Sequence, residues 1–366
     1  MDHKNFIEMH KVRKVLFCIF KYHGDVLLTS PLYQILKNHY PHIAIHVFLF
    51  KDTLPMLEGH PAIDFFHTFD HEVRQRSRLN KLGYELKQLW AIRGQRYDVV
   101  FNLTSGDRGA IAAKVSGAPV RVGIESDGGM RGKDRFFTHL VWRARTPRHV
   151  VETNLDLLRV IGLRPAPDER NLIFSVPDER NRIFTASCAE ETAPFALVHP
   201  YTRTSMKLWH IEGFRTVIGH LLTLGLKVVV SGGGGEEEKE YIDTLCEGFS
   251  PERVESRAGK TSLKELGGLV RKAEIIVTVD TVTLHLASAF KKRCVAIFGP
   301  SDEVKWGPWQ NPEARIVRLH RPCARCDQEG CGGSWVSDCL DNLPAEHVIK
   351  AIDTLNFFRN SAGAKI

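Results

Sequence analysis

At 366 residues the chain is too long for one average domain and comfortable for two of ordinary size. Apolar residues make up 43% and charged residues 25%, the balance of a soluble globular protein, and no apolar run reaches the roughly 20 residues of a membrane-spanning helix. The net charge of +7 is unevenly placed, because residues 71–148 hold 16 Lys or Arg against 7 Asp or Glu while the remainder is nearly balanced. Such a field favours an anionic partner (nucleic acid, acidic lipid or a phosphorylated glycan), or else it only keeps the protein in solution.

Residues 1–14 are polar and lack the apolar stretch and small-residue cleavage site of a secretory leader, so a cytoplasmic location is expected. Beyond them, near-continuous apolar runs at 15–20, 43–50, 63–69, 97–103 and 120–124 predict strands buried on both faces of a parallel sheet. Helical periodicity between them predicts helices at 27–39 and 79–93. Pro165, Pro167, Pro177 and Pro194 then break the pattern. A second series follows, with strands at 195–199, 226–231, 274–279 and 294–298 and helices at 211–224, 236–247 and 263–271, before a last helix at 345–358. Two such series predict an α/β protein of two doubly wound Rossmann-like domains facing a cleft. The expected boundaries are 1–175 for the first domain, 176–193 for a linker, 194–344 for the second domain and 345–366 for a C-terminal helix and tail.

In doubly wound sheets ligands bind beyond the carboxyl ends of the strands, so the loops after strands carry the argument. The first strand runs into Lys21, Tyr22, His23, Gly24 and Asp25 at a helix start. Asp25 is either an N-cap or an unpaired carboxylate able to take a proton from an attacking hydroxyl. The first strand of the second series runs into Thr202, Arg203, Thr204, Ser205 and Lys207, hydroxyls and cations suited to a phosphate, or a solvated polar loop. The next strand ends in Gly232–Gly235 followed by Glu236, Glu237 and Glu238. Glycines allow close backbone approach to a ligand and the first acid suits ribose hydroxyls, although three glutamates also suit a helix N-terminus. Glu237 stands where a dinucleotide fingerprint requires its third Gly, which weakens an oxidoreductase reading. A further strand ends in Asp280 and Thr281, with His285 one turn into the next helix. Cys18, Cys188, Cys246 and Cys294 sit singly and read as small buried hydrophobes. Cys323, Cys326, Cys331 and Cys339 cluster, and either close a structural zinc site or are reduced thiols in an irregular loop.

Taken together and in this order, the Gly24-Asp25-Val26 turn, the Thr202 to Trp209 loop with its Lys207-Leu208-Trp209, the Gly232–Glu238 run and the Asp280-Thr281 to His285 segment resemble the bacterial heptosyltransferase family. The resemblance spans nearly the whole chain, and residues 23–31 with 37–41 look most like its heptosyltransferase III branch. It implies the two-domain GT-B architecture, an ADP-heptose donor, a lipopolysaccharide inner-core acceptor, inverting transfer and no metal or other cofactor. By the same resemblance Asp25 is the general base, and Thr202 and Lys207 hold the diphosphate, with Arg203 of the same loop expected on the donor side. Glu236 takes the ribose, Asp280 the donor sugar, and Thr281 and His285 lie near the phosphates. His23 and Gly24, with the cations Arg74, Arg76 and Arg78, are expected on the acceptor side. The basic stretch then implies a peripheral place at the inner face of the inner membrane and no nucleic-acid partner. The family carries similar Cys-rich segments with no zinc role implied. One residue departs from the pattern: Val282 stands where the family commonly has Gly, so a side chain crowds that approach to a phosphate. Two rival readings are a GT-B transferase using another nucleotide sugar and a catalytically silent glycan-binding relative.

Overall fold

The computed structural model describes residues 7–75, 77–125, 129–142, 144–176 and 193–355, and the chain divides into two compact units, Met1–Ser175 and Val176–Ile366. The expected linker at 176–193 falls almost entirely outside the described residues.

In the first unit β1 (Lys14–Ile19) leads into α1 (His23–Leu27) and α2 (Ser30–His39), followed by β2 (Ala44–Phe50), β3 (Phe65–Phe69) and α3 (Arg78–Gly94). Then come β4 (Val99–Asn102), α4 (Asp107–Ser116), β5 (Val120–Ile124), β6 (His139–Val141) and α5 (Val150–Val160). The strands are all parallel, in the order β3-β2-β1-β4-β5-β6. Central β1 is apolar at every buried position because both its faces are covered. Leu16 and Cys18 pack with Phe48, Ile92 and Ala112 on one side. On the other, Phe17 stacks on Phe101 at 4.8 Å between centroids and meets Tyr33 of α2 edge-on at 5.0 Å.

The helix expected at 27–39 starts earlier and is interrupted. Pro31 has no N–H to give to Leu27, so the helical bonds cannot run through, and the Thr29 hydroxyl instead donates to the Val26 carbonyl at 2.7 Å. Helix α4 ends where Gly117 adopts φ of +70°, a left-handed turn that a side chain would resist.

The second unit runs β7 (Phe195–His199), α6 (Ile211–Thr223), β8 (Lys227–Val230), α7 (Glu236–Cys246), β9 (Val254–Ser256), α8 (Leu263–Lys272) and β10 (Ile275–Val279). It continues with α9 (Val282–Ala289), β11 (Cys294–Ile297), α10 (Glu303–Trp306), β12 (Ala314–Val317), α11 (Asp338–Asp341) and α12 (Ala345–Asp353). Its parallel sheet has the order β12-β11-β10-β7-β8-β9, which repeats the first unit's order when counted from its own first strand. The last helix is no separate appendage, because Val348, Ile352 and Leu355 share a core with Phe214, Leu221 and Ile242. In both sheets the direction of winding reverses beside the first strand, between β1 and β4 and between β7 and β10. That reversal is where such folds hold their ligands.

Cys18 and Cys294 are buried, and burial pushes both thiols well above the usual range, as small core hydrophobes require. Cys246 is pushed up to about 11 by burial, with Asp243 adding to it. Cys188 lies outside the described residues.

Candidate active site

In the second unit the reversal point brings two loops together. Lys207, after β7, donates from Nζ to Asp280 Oδ2 at 2.7 Å, after β10. Asp280 is buried and Lys207 half-buried, so water screens the pair little and the ammonium is held in place. Thr281 is the N-cap residue of α9, and its hydroxyl lies 3.1 Å from that of Thr278. Val282 opens α9, half-buried, so the residue that departs from the family pattern occupies the first position of that helix. Thr283 has a buried hydroxyl with no hydrogen-bond partner among the described residues, and His285 is buried two residues further on. A helix N-terminus beside a fixed ammonium concentrates positive potential where an anion can sit.

The same loops are tied from behind. His199, the last residue of β7, is hydrogen-bonded to the Ser231 hydroxyl at 3.0 Å, and burial lowers its pKa to about 4, so it stays a neutral strut. Of the three glutamates, Glu238 turns back and accepts from the Gly233 N–H at 2.6 Å. Glu236 stands exposed at the first position of α7, with only a 3.4 Å contact to Lys239. Gly232 is required by close approach, since a Cβ there would come within 2.2 Å of the Ile242 side chain. Thr202 accepts from the Thr204 N–H at 3.4 Å, and Arg203 lies exposed in the same turn.

Several residues that hold this loop, among them Tyr241, Ser337 and Leu343, carry no local sequence signal. The Trp209 indole donates to the Leu343 carbonyl at 3.0 Å, and the Tyr241 hydroxyl donates to the Trp209 carbonyl at 3.0 Å. Ser337 donates to the Met206 carbonyl at 2.6 Å, and Ser205 to the Trp335 carbonyl at 3.2 Å. The Cys-rich segment thus braces the Lys207 loop, and is itself anchored by Arg325 to Glu303 at 2.7 Å and by Lys305 to Asp327 at 2.8 Å. Cys323, Cys326, Cys331 and Cys339 are free thiols, and no group of three or more His, Cys, Asp or Glu among the described residues is placed to hold a metal ion.

In the first unit, Phe20 N–H donates to Thr104 Oγ1 at 3.0 Å and joins the ends of β1 and β4. Two expectations for Asp25 need correction. It is not the N-cap: Tyr22 holds that place, without a side-chain cap bond, and Asp25 is the third residue of α1. Nor is it unpaired, because α1 starts early enough to set Lys21 one turn before it, with Nζ 3.7 Å from Oδ1. His23 opens the helix and lies within 3.1 Å of the Asp52 carbonyl through Nε2, and Gly24 follows it. Arg74 falls in a short turn, Arg78 begins α3, and Arg76 lies outside the described residues. The structure adds a cavity of about 300 Å³ between α3 and α4, lined by Phe69, Glu85 and Arg108 among others. There the Arg108 guanidinium lies 3.8 Å from the Phe69 ring centroid and 3.3 Å from Glu85.

Two Rossmann-like sheets of identical winding, one with an ammonium and a helix N-terminus at its reversal point, give the chain an α/β architecture of GT-B type. The family model for glycosyltransferase family 9 (heptosyltransferase) matches residues 86–334, and the chain belongs to that family. Lipopolysaccharide heptosyltransferase 3 of Escherichia coli is 28% identical over 339 residues, covering 92% of this chain and 97% of that protein. Among solved structures, a family 9 glycosyltransferase from Veillonella parvula superposes with a TM-score of 0.79 at 22% identity, over 96% of this chain and 99% of that one. The E. coli ADP-heptose lipopolysaccharide heptosyltransferase II does so with a TM-score of 0.76 at 20% identity, over 95% and 99%.

Proposed function

We propose that the protein transfers heptose from ADP-heptose to a heptose of the lipopolysaccharide inner core, as the heptosyltransferase III branch does, with inversion at the anomeric carbon. The observation that carries this reading is the Lys207–Asp280 pair at the reversal point of the second sheet. It presents a fixed cation where the leaving diphosphate gathers charge, which is where positive potential lowers the barrier most. Thr202, Arg203, Thr281 and His285 complete the phosphate surroundings, Asp280 also faces the donor sugar, and exposed Glu236 takes the ribose hydroxyls. Glu238 is committed to the Gly233 N–H, which favours Glu236 for that task.

Asp25 takes the proton of the acceptor hydroxyl as its oxygen bonds to the anomeric carbon and the bond to ADP breaks. The Lys21 ammonium, 3.7 Å from Oδ1, stands beside the carboxylate one turn before it. His23, Gly24, Arg74, Arg76 and Arg78 serve the acceptor, whose phosphates and acidic sugars suit the basic stretch. Among the described residues no helix is long and apolar enough to cross a membrane. The excess of Lys and Arg over residues 71–148 supports a cytoplasmic enzyme that meets its lipid-borne acceptor as a peripheral protein at the inner membrane.

The test is direct. Purified protein is incubated with ADP-heptose and a core acceptor lacking the terminal heptose, and product mass and ADP release are followed. Transfer from ADP-heptose but from no UDP-sugar supports the reading, whereas activity only with another nucleotide sugar replaces the donor.

A further inference from the structure

Helix α3 carries Leu79, Leu82, Leu86 and Trp90 at spacings of three and four, which places them on one face. The helix packs inward through other residues: Ile92 is buried, and Tyr84 and Leu89 lean on the core around Phe69. The four are left outside, with Leu79 82% exposed, Leu82 55%, Leu86 45% and Trp90 73%. A single exposed leucine is ordinary, but four in line over about 16 Å of helix form a contiguous apolar strip, and such strips mark contact surfaces.

The charge around the strip identifies its occupant. Residues 71–94 contain six Lys or Arg against two Glu, and Lys81 and Lys87 stand exposed on α3 itself. Helix α3 packs on α4, which packs in turn on the segment Lys133–Phe136, where Arg135 is exposed. An apolar ridge of Leu and Trp with cations beside it is the composition of a helix lying in the headgroup region of an anionic bilayer. A second copy of the chain would bring like charges together there.

We propose that α3 is the membrane-docking element, with Leu79, Leu82, Leu86 and Trp90 at the acyl boundary and the neighbouring Lys and Arg on lipid phosphates. This rests on the peripheral association proposed above and names the part of the chain that makes it.

The full chain is sedimented with vesicles of phosphatidylethanolamine and phosphatidylglycerol, and with pure phosphatidylcholine. The expected result is binding to the anionic vesicles. Replacing Leu79, Leu82, Leu86 and Trp90 together by Gln weakens it about tenfold or more, with ADP affinity and turnover on a delipidated, soluble core acceptor retained. In brominated phosphatidylglycerol vesicles the wild type loses tryptophan fluorescence, and Trp90→Phe, which still binds, loses less. A quadruple variant that sediments like the wild type overturns the role of the strip and leaves the peripheral reading standing. A wild type that never sediments overturns both, while the transfer assay still judges the enzymatic reading. Concentration-dependent dimers that only the wild type forms would assign the strip to a contact between copies.

Discussion

The first sheet places a polar cluster in its interior: His46 and His67 both hydrogen-bond the Tyr97 hydroxyl, at 2.9 and 2.8 Å, across β2, β3 and the start of β4. In the second sheet the buried positions of β8 and β10, which correspond to β2 and β4, are apolar but for Thr278, and polar pairs collect at the strand ends around the reversal point, Lys207–Asp280 and His199–Ser231. The winding order is the same, so topology sets where a ligand sits and the loops set what it is. One unit spends its buried polarity on holding strands together, the other on fixing a cation beside a helix start. If that division is right, damage to the first unit's strand-end acid should affect chemistry alone, and damage to the second unit's pair should affect donor affinity.

The largest effect is expected at Asp25. Asp25→Asn should lower turnover by at least about a hundredfold, the span lost with a general base, and leave the Kd for ADP unchanged. Near-normal turnover would reduce Asp25 to a partner for Lys21 and dissolve the contrast between the units. Next comes Lys207→Ala, which should weaken ADP about ten- to a hundredfold in calorimetry, the worth of a charge-assisted hydrogen bond. Because that change also strands the Asp280 carboxylate, the double variant with Asp280→Asn should recover thermal stability and not ADP affinity. Recovery of both would mean that Lys207 acts only by neutralising Asp280.

A smaller effect is expected from reversing Arg74, Arg76 and Arg78 to Glu. The acceptor KM should rise several-fold and lose salt dependence, since exposed charges are screened within about 8 Å at physiological salt. The donor KM should hold, and equal change in both constants would place these cations outside acceptor recognition.

The smallest concerns acid. Burial lowers His60, His67 and His199 to about 4, so each stays neutral when folded. The unfolded chain takes up protons near pH 6.5 and the folded chain does not, so stability is lost as pH falls from about 6.5 to about 4, on the order of 3 kcal/mol for each histidine. Two of the three lie in the first unit. Urea midpoints at pH 7 and pH 5 should therefore differ, and by less in His67→Gln. An identical difference in the variant would remove His67 from the account.

Much of this was legible in the residues, and the gaps have physical causes. Central strands such as β1 and β10 are buried on both faces and announce themselves as apolar runs. The strands β6, β9 and β12 are three or four residues long at or near sheet edges, too short for any pattern to stand out. Lys207 and Asp280 were each visible as polar residues after a strand, but nothing local reveals a bond across 73 positions. For Asp25, the missed feature was one turn of helix. With α1 beginning at His23, Lys21 falls four residues before the acid, at salt-bridge reach.

The bond from Trp209 to the Leu343 carbonyl has a consequence for synthesis. On the ribosome, residues 1–175 have all emerged, and can wind their sheet, long before residue 343 leaves the exit tunnel. The Lys207 loop is made next, yet its rear support arrives only with Ser337 and Leu343, 131 to 134 residues after the groups they hold. A nascent chain therefore holds a finished first unit while the Lys207 loop still lacks its rear support. A stop codon placed just before Ser337 should yield protein that keeps the first sheet and fails to retain ADP.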